Sequence, residues 1–250
     1  MKRIARIFVI LLVVIATTSA VVLFLLYRAS QQEPEFYEQA LRIEPSQYEE
    51  AGDELEKNVL DLRNEVQQVG RWEATFTDAQ INGWLAVDMP KKFPNTLPST
   101  VSDPRVSIIP KLAQLACRYT GSRFSAVVSL GLEIRTTDEP NVVAVRLKRI
   151  RAGSVPLPVV EKWKDELEKA SLRAELPLKW EQIDGDDVAL VTIPTGRSKR
   201  SGGRLLLETI ELRNGEVYLA GRTEPSEGSD SSNHFHTASD QSVEKITIQR

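Results

Sequence analysis

Three aspartates and two histidines are the side chains of this sequence that could most readily bind a metal ion. Asp184, Asp186 and Asp187 bring three carboxylates into one turn, and carboxylate oxygens are the ligands that calcium prefers. The further aspartates and the closing glutamate of a calcium loop are missing, so a solvated hairpin turn is predicted instead. His234 and His236 supply two imidazoles where zinc needs three or four ligands. No metal site is therefore predicted.

Nucleophilic catalysis lacks its usual partners in residues 70–223. This region has no histidine that could act as a base for Ser125 or Ser129, and no G-x-S-x-G or S-x-x-K motif. Gly202-Gly203 lies among basic residues without the spacing of a phosphate-binding loop. Two carboxylates distant in the chain could still form a glycosidase pair, an alternative that stays open. We predict a non-enzymatic protein without a cofactor.

Basic residues cluster in a predicted strand and in a loop. They are Arg146, Lys148, Arg149 and Arg151 in the strand, and Arg197, Lys199, Arg200 and Arg204 at 197–204. Each cation near an anionic membrane contributes about 1 kcal/mol, so these residues could contact lipid headgroups. The alternative is a solvated strand face balanced by nearby acids. With a net charge of −3, the chain lacks the basic footprint of a nucleic-acid-binding protein.

The N-terminal segment predicts a membrane anchor. Residues 7–27 contain no charge and no proline, so they can cross a hydrocarbon core about 30 Å thick as one helix. Basic residues precede this segment and acidic residues prevail after it, so 1–6 are predicted to be cytoplasmic and the rest periplasmic. A signal peptide cleaved after Ala20 is the alternative, although the apolar run continues beyond the usual length. The single Cys117 cannot form an intramolecular disulfide.

Beyond the anchor, charge and periodicity divide the chain into three parts. An acidic linker with an amphipathic helix spans 28–69, a domain spans 70–223, and a Ser- and Asp-rich tail at 224–250 is predicted to be disordered. Ser46-Gln47-Tyr48-Glu49 has the capping-box pattern, so a helix is predicted to begin there. Its apolar residues recur at helical spacing, which predicts packing against the domain or a stalk. They are Tyr48, Ala51, Leu55, Val59, Leu62 and Val66.

The pattern of residues 70–223 predicts an α+β domain with an antiparallel sheet. Thr77-Asp78-Ala79-Gln80 caps a helix that Pro90 is predicted to close, and the proline-rich 90–104 is predicted to be irregular. Asn214-Gly215 predicts a type I′ hairpin and Asp184-Gly185 another tight turn. A further helix is predicted between Pro158 and Pro177. Strands are predicted near 105–109, 112–119, 123–135, 141–151, 177–183, 187–193, 204–213 and 216–223.

The order of these elements resembles a group of bacterial membrane proteins. The motifs that carry the resemblance are Phe76-Thr77-x-x-Gln80-Ile81-Asn82-x-x-Leu85, Gly153-x-x-Pro156-Leu157-Pro158 and Leu212-Arg213-Asn214-Gly215. Residues 70–223 resemble the YpmS-like membrane-anchored proteins of unknown function and, more distantly, the YceB-like lipoproteins. The resemblance implies a relation to tubular lipid-binding domains, with a curved antiparallel sheet packed on or wrapped around amphipathic helices and an apolar groove.

The expected function is that of a single-pass membrane protein of the cell envelope whose extracytoplasmic domain binds lipid or another apolar ligand. The alternative for each candidate groove residue is that it simply fills the core. The candidates are Ile81, Trp84, Leu85, Val127, Leu130, Val143, Val145, Leu147, Val160, Trp163 and Leu167. The alternative function is a non-enzymatic scaffold or assembly factor that engages envelope proteins through the helix at 46–68 and exposed sheet edges.

Overall fold

The computed structural model describes residues 2–94, 96–122, 124–157, 160–173, 175–194 and 203–225. The predicted disorder of the tail therefore concerns residues that lie almost wholly outside the described part. Helix α1 (Lys2–Ser30) contains the apolar segment that is predicted to span the membrane. Its stretch Ile10–Ser30 has a mean hydropathy of 2.7 and is not buried against the rest of the chain. At 1.5 Å per residue this stretch is long enough to cross a bilayer, so it is compatible with single-pass anchoring.

Two helices follow the membrane segment. Helix α2 (Glu35–Leu41) is short, and α3 (Pro45–Glu65) is the amphipathic helix. The predicted capping box at Ser46 is wrong, because Glu44 is the N-cap and Pro45 occupies the first turn. Proline is favoured there, since its φ is already helical and its missing N–H would have had no partner.

The capped helix at residue 77 is confirmed, and it continues past its predicted end. Helix α4 (Asp78–Gly83) leads into a π-helical turn (Trp84–Asp88) and then into α5 (Met89–Lys92). Thr77 Oγ1 accepts from the Gln80 amide at 3.1 Å, and Gln80 Oε1 accepts from the Thr77 amide at 3.1 Å. Pro90 does not close the helix, because the π turn with its Met89 N–H···O=C Trp84 bond accommodates the proline.

In the part of the chain that the structure describes, the larger of two antiparallel sheets contains seven strands. They are β2 (Val101–Ile109), β3 (Leu112–Thr120), β4 (Ser125–Thr136), β5 (Val142–Ala152), β6 (Val155–Pro156), β7 (Leu178–Ile183) and β8 (Asp186–Thr192). Their order is β2-β3-β4-β5-β8-β7, with β6 paired to the end of β5. A helix, α6 (Val160–Arg173), lies between β6 and β7 as predicted.

The smaller sheet has the order β1-β10-β9. Its strands are β1 (Gly70–Thr77), β9 (Arg204–Arg213) and β10 (Glu216–Glu224). All eight predicted strands are therefore confirmed, and β1 and β6 are additional. At the β9–β10 turn only Gly215 has a positive φ, so the type I′ prediction at Asn214-Gly215 is wrong. Both turn residues have positive φ at Asp184-Gly185, which is the type I′ pattern.

The core lies between one face of the large sheet and the small sheet with α4. Ile108, Ala113 and Leu212 form its buried centre. Side chains packed on that centre include Ile81, Val106, Leu115, Leu132, Ile134 and Val217. The α+β class with antiparallel sheets and helices is thus confirmed.

Two buried asparagines connect the layers through backbone hydrogen bonds. Asn82 Nδ2 donates to the Val106 carbonyl at 2.7 Å, and its Oδ1 accepts from the Val106 amide at 2.7 Å. Asn141 makes the same kind of pair with β9, donating to the Leu205 carbonyl and accepting from the Leu207 amide. Each side chain thus satisfies two backbone groups that would otherwise be buried without partners. The amide of Asn82 therefore bonds to the backbone of β2 rather than to solvent.

Candidate functional site

The end of α1, the helix that is long and apolar enough to span a membrane, is fixed to the large sheet. The Ser154 amide donates to the Ala29 carbonyl at 2.9 Å, and Gln31 Nε2 donates to the Ser125 carbonyl at 2.9 Å. Gly153 makes the approach possible, because a Cβ there would lie 2.5 Å from the Ala29 carbonyl oxygen. The domain therefore begins directly where the apolar segment ends.

Helix α2 covers one end of the sheet face next to this junction. Its Tyr37 is 0% exposed and packs with Ala116 and Val127. Arg118 pairs with Glu33 at 2.8 Å just before the helix. Burial raises the pKa of the Tyr37 phenol to about 12, because the phenolate would lose its hydration. Among the residues that the structure describes, the Tyr37 hydroxyl has no hydrogen-bond partner.

A Tyr37→Phe substitution is expected to leave the free energy of unfolding at pH 7 unchanged or higher, since the hydroxyl makes no bond to lose. It should also weaken the alkaline loss of stability. The folded pKa of about 12 exceeds the ordinary value of 10, so the unfolded state releases this proton first and stability falls as pH rises above 10. Urea unfolding of the full chain in detergent at pH 8 and pH 11 measures the difference. Between pH 8 and pH 11 the unmodified chain should lose about 1 kcal/mol more of its free energy of unfolding than Tyr37→Phe. An equal loss in both proteins would contradict the prediction.

A groove of about 980 Å³ lies between α2 and the open face of the large sheet. One end is formed by Gln32, Glu33 and Pro34, the residues that leave the membrane helix, and by Gly153 and Ser154. Strands β2 to β5 form the floor, where Gly131 contributes no side chain. The groove thus begins at the membrane junction and runs along the sheet. Its lining also includes Glu35, Phe36, Ile109, Leu112, Gln114, Ser129 and Leu130.

Four cations line this groove, and three of them form no ion pair with any described residue. Lys148 lies 3.2 Å from Asp186 and 3.7 Å from Glu133. Lys111, Arg149 and Arg151 also line it, and in the part of the chain that the structure describes no carboxylate forms an ion pair with any of these three.

Local backbone irregularity positions two of these cations. In the β4–β5 pairing, Ser129 faces Arg151 and Gly131 faces Lys148, so two β5 residues oppose one β4 residue. Arg149 lies in this bulge with a φ of 37°. Lys111 occupies the β2–β3 turn with a φ of 70°. Bulges re-aim side chains, and this one adds Arg149 to the row formed by Lys148 and Arg151.

The predicted apolar groove residues lie mainly in the core rather than in this groove. Ile81 packs on the core, and Val145 and Leu147 pair with Ile134 and Leu132, which also pack there. Val143 is buried. Among the candidates whose side chains the structure describes, only Leu130 lines the groove.

The other predicted groove residues have separate surroundings. Val127 lies beneath Tyr37, Trp84 contacts Phe93 with ring centroids 5.9 Å apart, and Leu85 lines a smaller cavity. Leu167 is half-buried on α6. Val160 and Trp163 belong to α6, but their side chains lie outside the described part. The candidates with described side chains are therefore not brought together in one site.

The cations that were predicted to contact the membrane surface also do not form one site. Arg146 lies 3.3 Å from Asp186, and Lys148 pairs with the same carboxylate. For these two cations the alternative prediction holds, in which nearby acids balance their charge. Arg197, Lys199 and Arg200 lie outside the described residues. Over the residues that the structure describes, no group of three or more His, Cys, Asp or Glu could hold a metal ion. The remaining cations of β5, Arg149 and Arg151, line the groove and could bind an anion there.

Comparison with known proteins identifies no relative of this chain: no family model, curated protein or solved structure matches it. The resemblance to YpmS-like and YceB-like proteins therefore stays a prediction. The groove residues that sequence reasoning missed, Lys111 and the segment 32–36, carry no local pattern that marks a site.

Proposed function

We propose that this chain is a single-pass membrane protein whose periplasmic domain binds the headgroup of an anionic lipid in the groove beside the membrane helix. The observation that carries the proposal is the position of Lys111, Arg149 and Arg151, three cations without acidic partners among the described residues, in a groove that begins at Gln32. Cations attract anionic headgroups, and the acyl chains of a lipid bound there could remain in the bilayer. The binding is non-enzymatic.

An aromatic hairpin next to the junction supports a domain that rests on the membrane surface. Tyr119 and Phe124 have ring centroids 5.5 Å apart, and Phe124 is 51% exposed. Phe124 immediately precedes Ser125, whose carbonyl accepts from Gln31. Aromatic side chains are enriched at the level of lipid headgroups, so an exposed phenylalanine at this position favours contact with the bilayer.

Native mass spectrometry of the full chain in detergent tests the proposal, with phosphatidylglycerol and phosphatidylcholine offered in equal amounts. We expect a one-to-one phosphatidylglycerol adduct. The triple variant Lys111→Gln, Arg149→Gln, Arg151→Gln should lower its binding constant at least tenfold, because three cations at about 1 kcal/mol each are only partly offset by the acids of the groove.

The matched control removes three other exposed cations, with Lys57→Gln, Arg63→Gln and Arg71→Gln on α3 and β1. It changes the net charge equally but leaves the groove intact, so the phosphatidylglycerol adduct should persist. Equal losses in both triple variants would mean that net charge alone attracts the lipid. Equal adducts of the two lipids on the unmodified chain would refute the headgroup proposal.

A scaffold role is the second candidate, and an exposed apolar patch on α3 favours it. The N-terminal half of α3 packs against α4, but Val59 and Leu60 are 48% and 55% exposed. Such residues on a helix can engage a partner protein. If this is the function, Val59→Asp with Leu60→Asp should abolish cross-linking of the chain to an envelope protein and leave the phosphatidylglycerol adduct unchanged.

A further inference from the structure

A buried arginine that forms no ion pair with any described residue lines a second cavity, which shares no lining residue with the groove at the end of α1. Arg105 on β2 is only 7% exposed. Its Nη1 donates to the Pro104 carbonyl at 2.7 Å, and its guanidinium carbon lies 5.4 Å from the centroid of the Tyr48 ring. Among the described residues, its Nε has no hydrogen-bond partner and no carboxylate forms an ion pair with it.

Burying an arginine in this way is costly. A guanidinium loses its hydration on burial, and proteins ordinarily offset that loss with a carboxylate or another anion. The Pro104 carbonyl and the Tyr48 side chain satisfy only part of its five N–H donors. An anion that binds at Arg105 would supply the missing acceptor.

Arg105 lines a cavity of about 320 Å³ between β2 and the helical segment that contains the π turn. The cavity wall is otherwise largely apolar, with Leu85, Met89, Phe93, Leu97 and Val101. This volume is within the range of small-molecule sites. The cavity has the volume of about ten water molecules, and a molecule with about ten non-hydrogen atoms, such as octanoate, is of roughly that size.

Two irregularities of the backbone create this cavity. Pro90 lacks an N–H, and the π turn before it widens the helix at Leu85. In β2 the pairing with β3 shifts between Ser102 and Arg105, so Asp103 and Pro104 form a bulge that sets the direction of the Arg105 side chain. Both π turns and bulges occur frequently at binding sites.

We propose that this cavity binds a small carboxylic acid, with the carboxylate on the Arg105 guanidinium and the apolar body against Leu85, Met89 and Phe93. A carboxylate fits because its single charge and two oxygens match one guanidinium. A phosphate ester would bring a second negative charge beside Asp103, which lines the same cavity. The site is separate from the lipid groove and does not depend on the proposed function.

The experiment uses octanoate labelled with carbon-13 at the carboxyl group and the full chain in phosphatidylcholine nanodiscs. We expect a carboxyl resonance of bound octanoate that saturates at one molecule per chain and is absent from empty nanodiscs. In Arg105→Met the resonance should disappear, or the affinity should fall at least tenfold. The same variant should raise the thermal midpoint without ligand, because it removes an unpaired buried charge.

Two further variants keep the test decisive if Arg105→Met fails to fold. Leu97→Trp retains the arginine and fills the cavity, so it should also abolish the bound resonance. The groove variant Lys111→Gln, Arg149→Gln, Arg151→Gln should bind octanoate as the unmodified chain does, which separates this site from the lipid groove. No saturable resonance on the unmodified chain, or equal binding by Leu97→Trp, would overturn the proposal.

Discussion

Replacing Gly83 by alanine is expected to lower the free energy of unfolding by about 3 kcal/mol. Helices α3 and α4 approach each other at Gly52 and Gly83, and a Cβ on Gly83 would lie 2.5 Å from the Tyr48 carbonyl oxygen and 2.6 Å from the Gly52 nitrogen. Both atoms belong to the backbone of α3, so no side-chain rotation can relieve the overlap. The two helices would have to separate, and the packing around the buried Tyr48 would be lost.

Thermal unfolding of the full chain in detergent, followed by near-ultraviolet circular dichroism, measures this effect. For a domain of this size, 3 kcal/mol corresponds to a midpoint about 6–12 °C lower. Gly121→Ala is the matched control, because the nearest atoms to a Cβ there belong to the mobile end of the Tyr119 ring. If the two variants unfold at the same temperature, the close contact between α3 and α4 does not contribute about 3 kcal/mol to the free energy of unfolding.

The strands and the capped helix could be predicted because their signals are local. Alternation of apolar residues is read within one strand, and Thr77 and Gln80 are three positions apart. The errors arose where two local signals compete. Ser46 follows Pro45, and the proline's preference for the first helical turn decided where α3 begins. Pro90 was expected to end its helix, but a π turn accommodated it.

The groove could not be predicted because its parts meet only through tertiary structure. Gln32 and Ser154 are distant in the chain, and nothing in either segment indicates that they touch. Val143 is buried and Leu147 pairs with the core residue Leu132, whereas Lys148 lines the groove. The core covers the apolar side, so the face left open is the one with the cations. The bulge at Arg149 depends on the pairing with β4, which one strand's sequence does not encode.

Gly153→Ala is expected to release the membrane helix from the domain while the domain stays folded. Gly153 has a φ of +56°, and a Cβ there would lie 2.5 Å and 2.6 Å from the carbonyl oxygens of Ala29 and Ser30. The left-handed conformation costs alanine about 1–2 kcal/mol, and the overlap adds to it. The Ser154 amide, which donates to Ala29, should therefore exchange its hydrogen at least tenfold faster.

Hydrogen exchange of the full chain in nanodiscs measures this release, with Gly185→Ala as the matched control. Gly185 has a φ of +81°, but no atom lies within 4 Å of a Cβ there, so the control reproduces the backbone strain without the overlap. Exchange in residues 29–33 should rise only in Gly153→Ala, and exchange in the centre of β4 should change in neither variant. Because the groove begins at this junction, release should also reduce phosphatidylglycerol binding although all groove cations remain. Faster exchange with undiminished lipid binding would show that the groove does not need its position at the membrane.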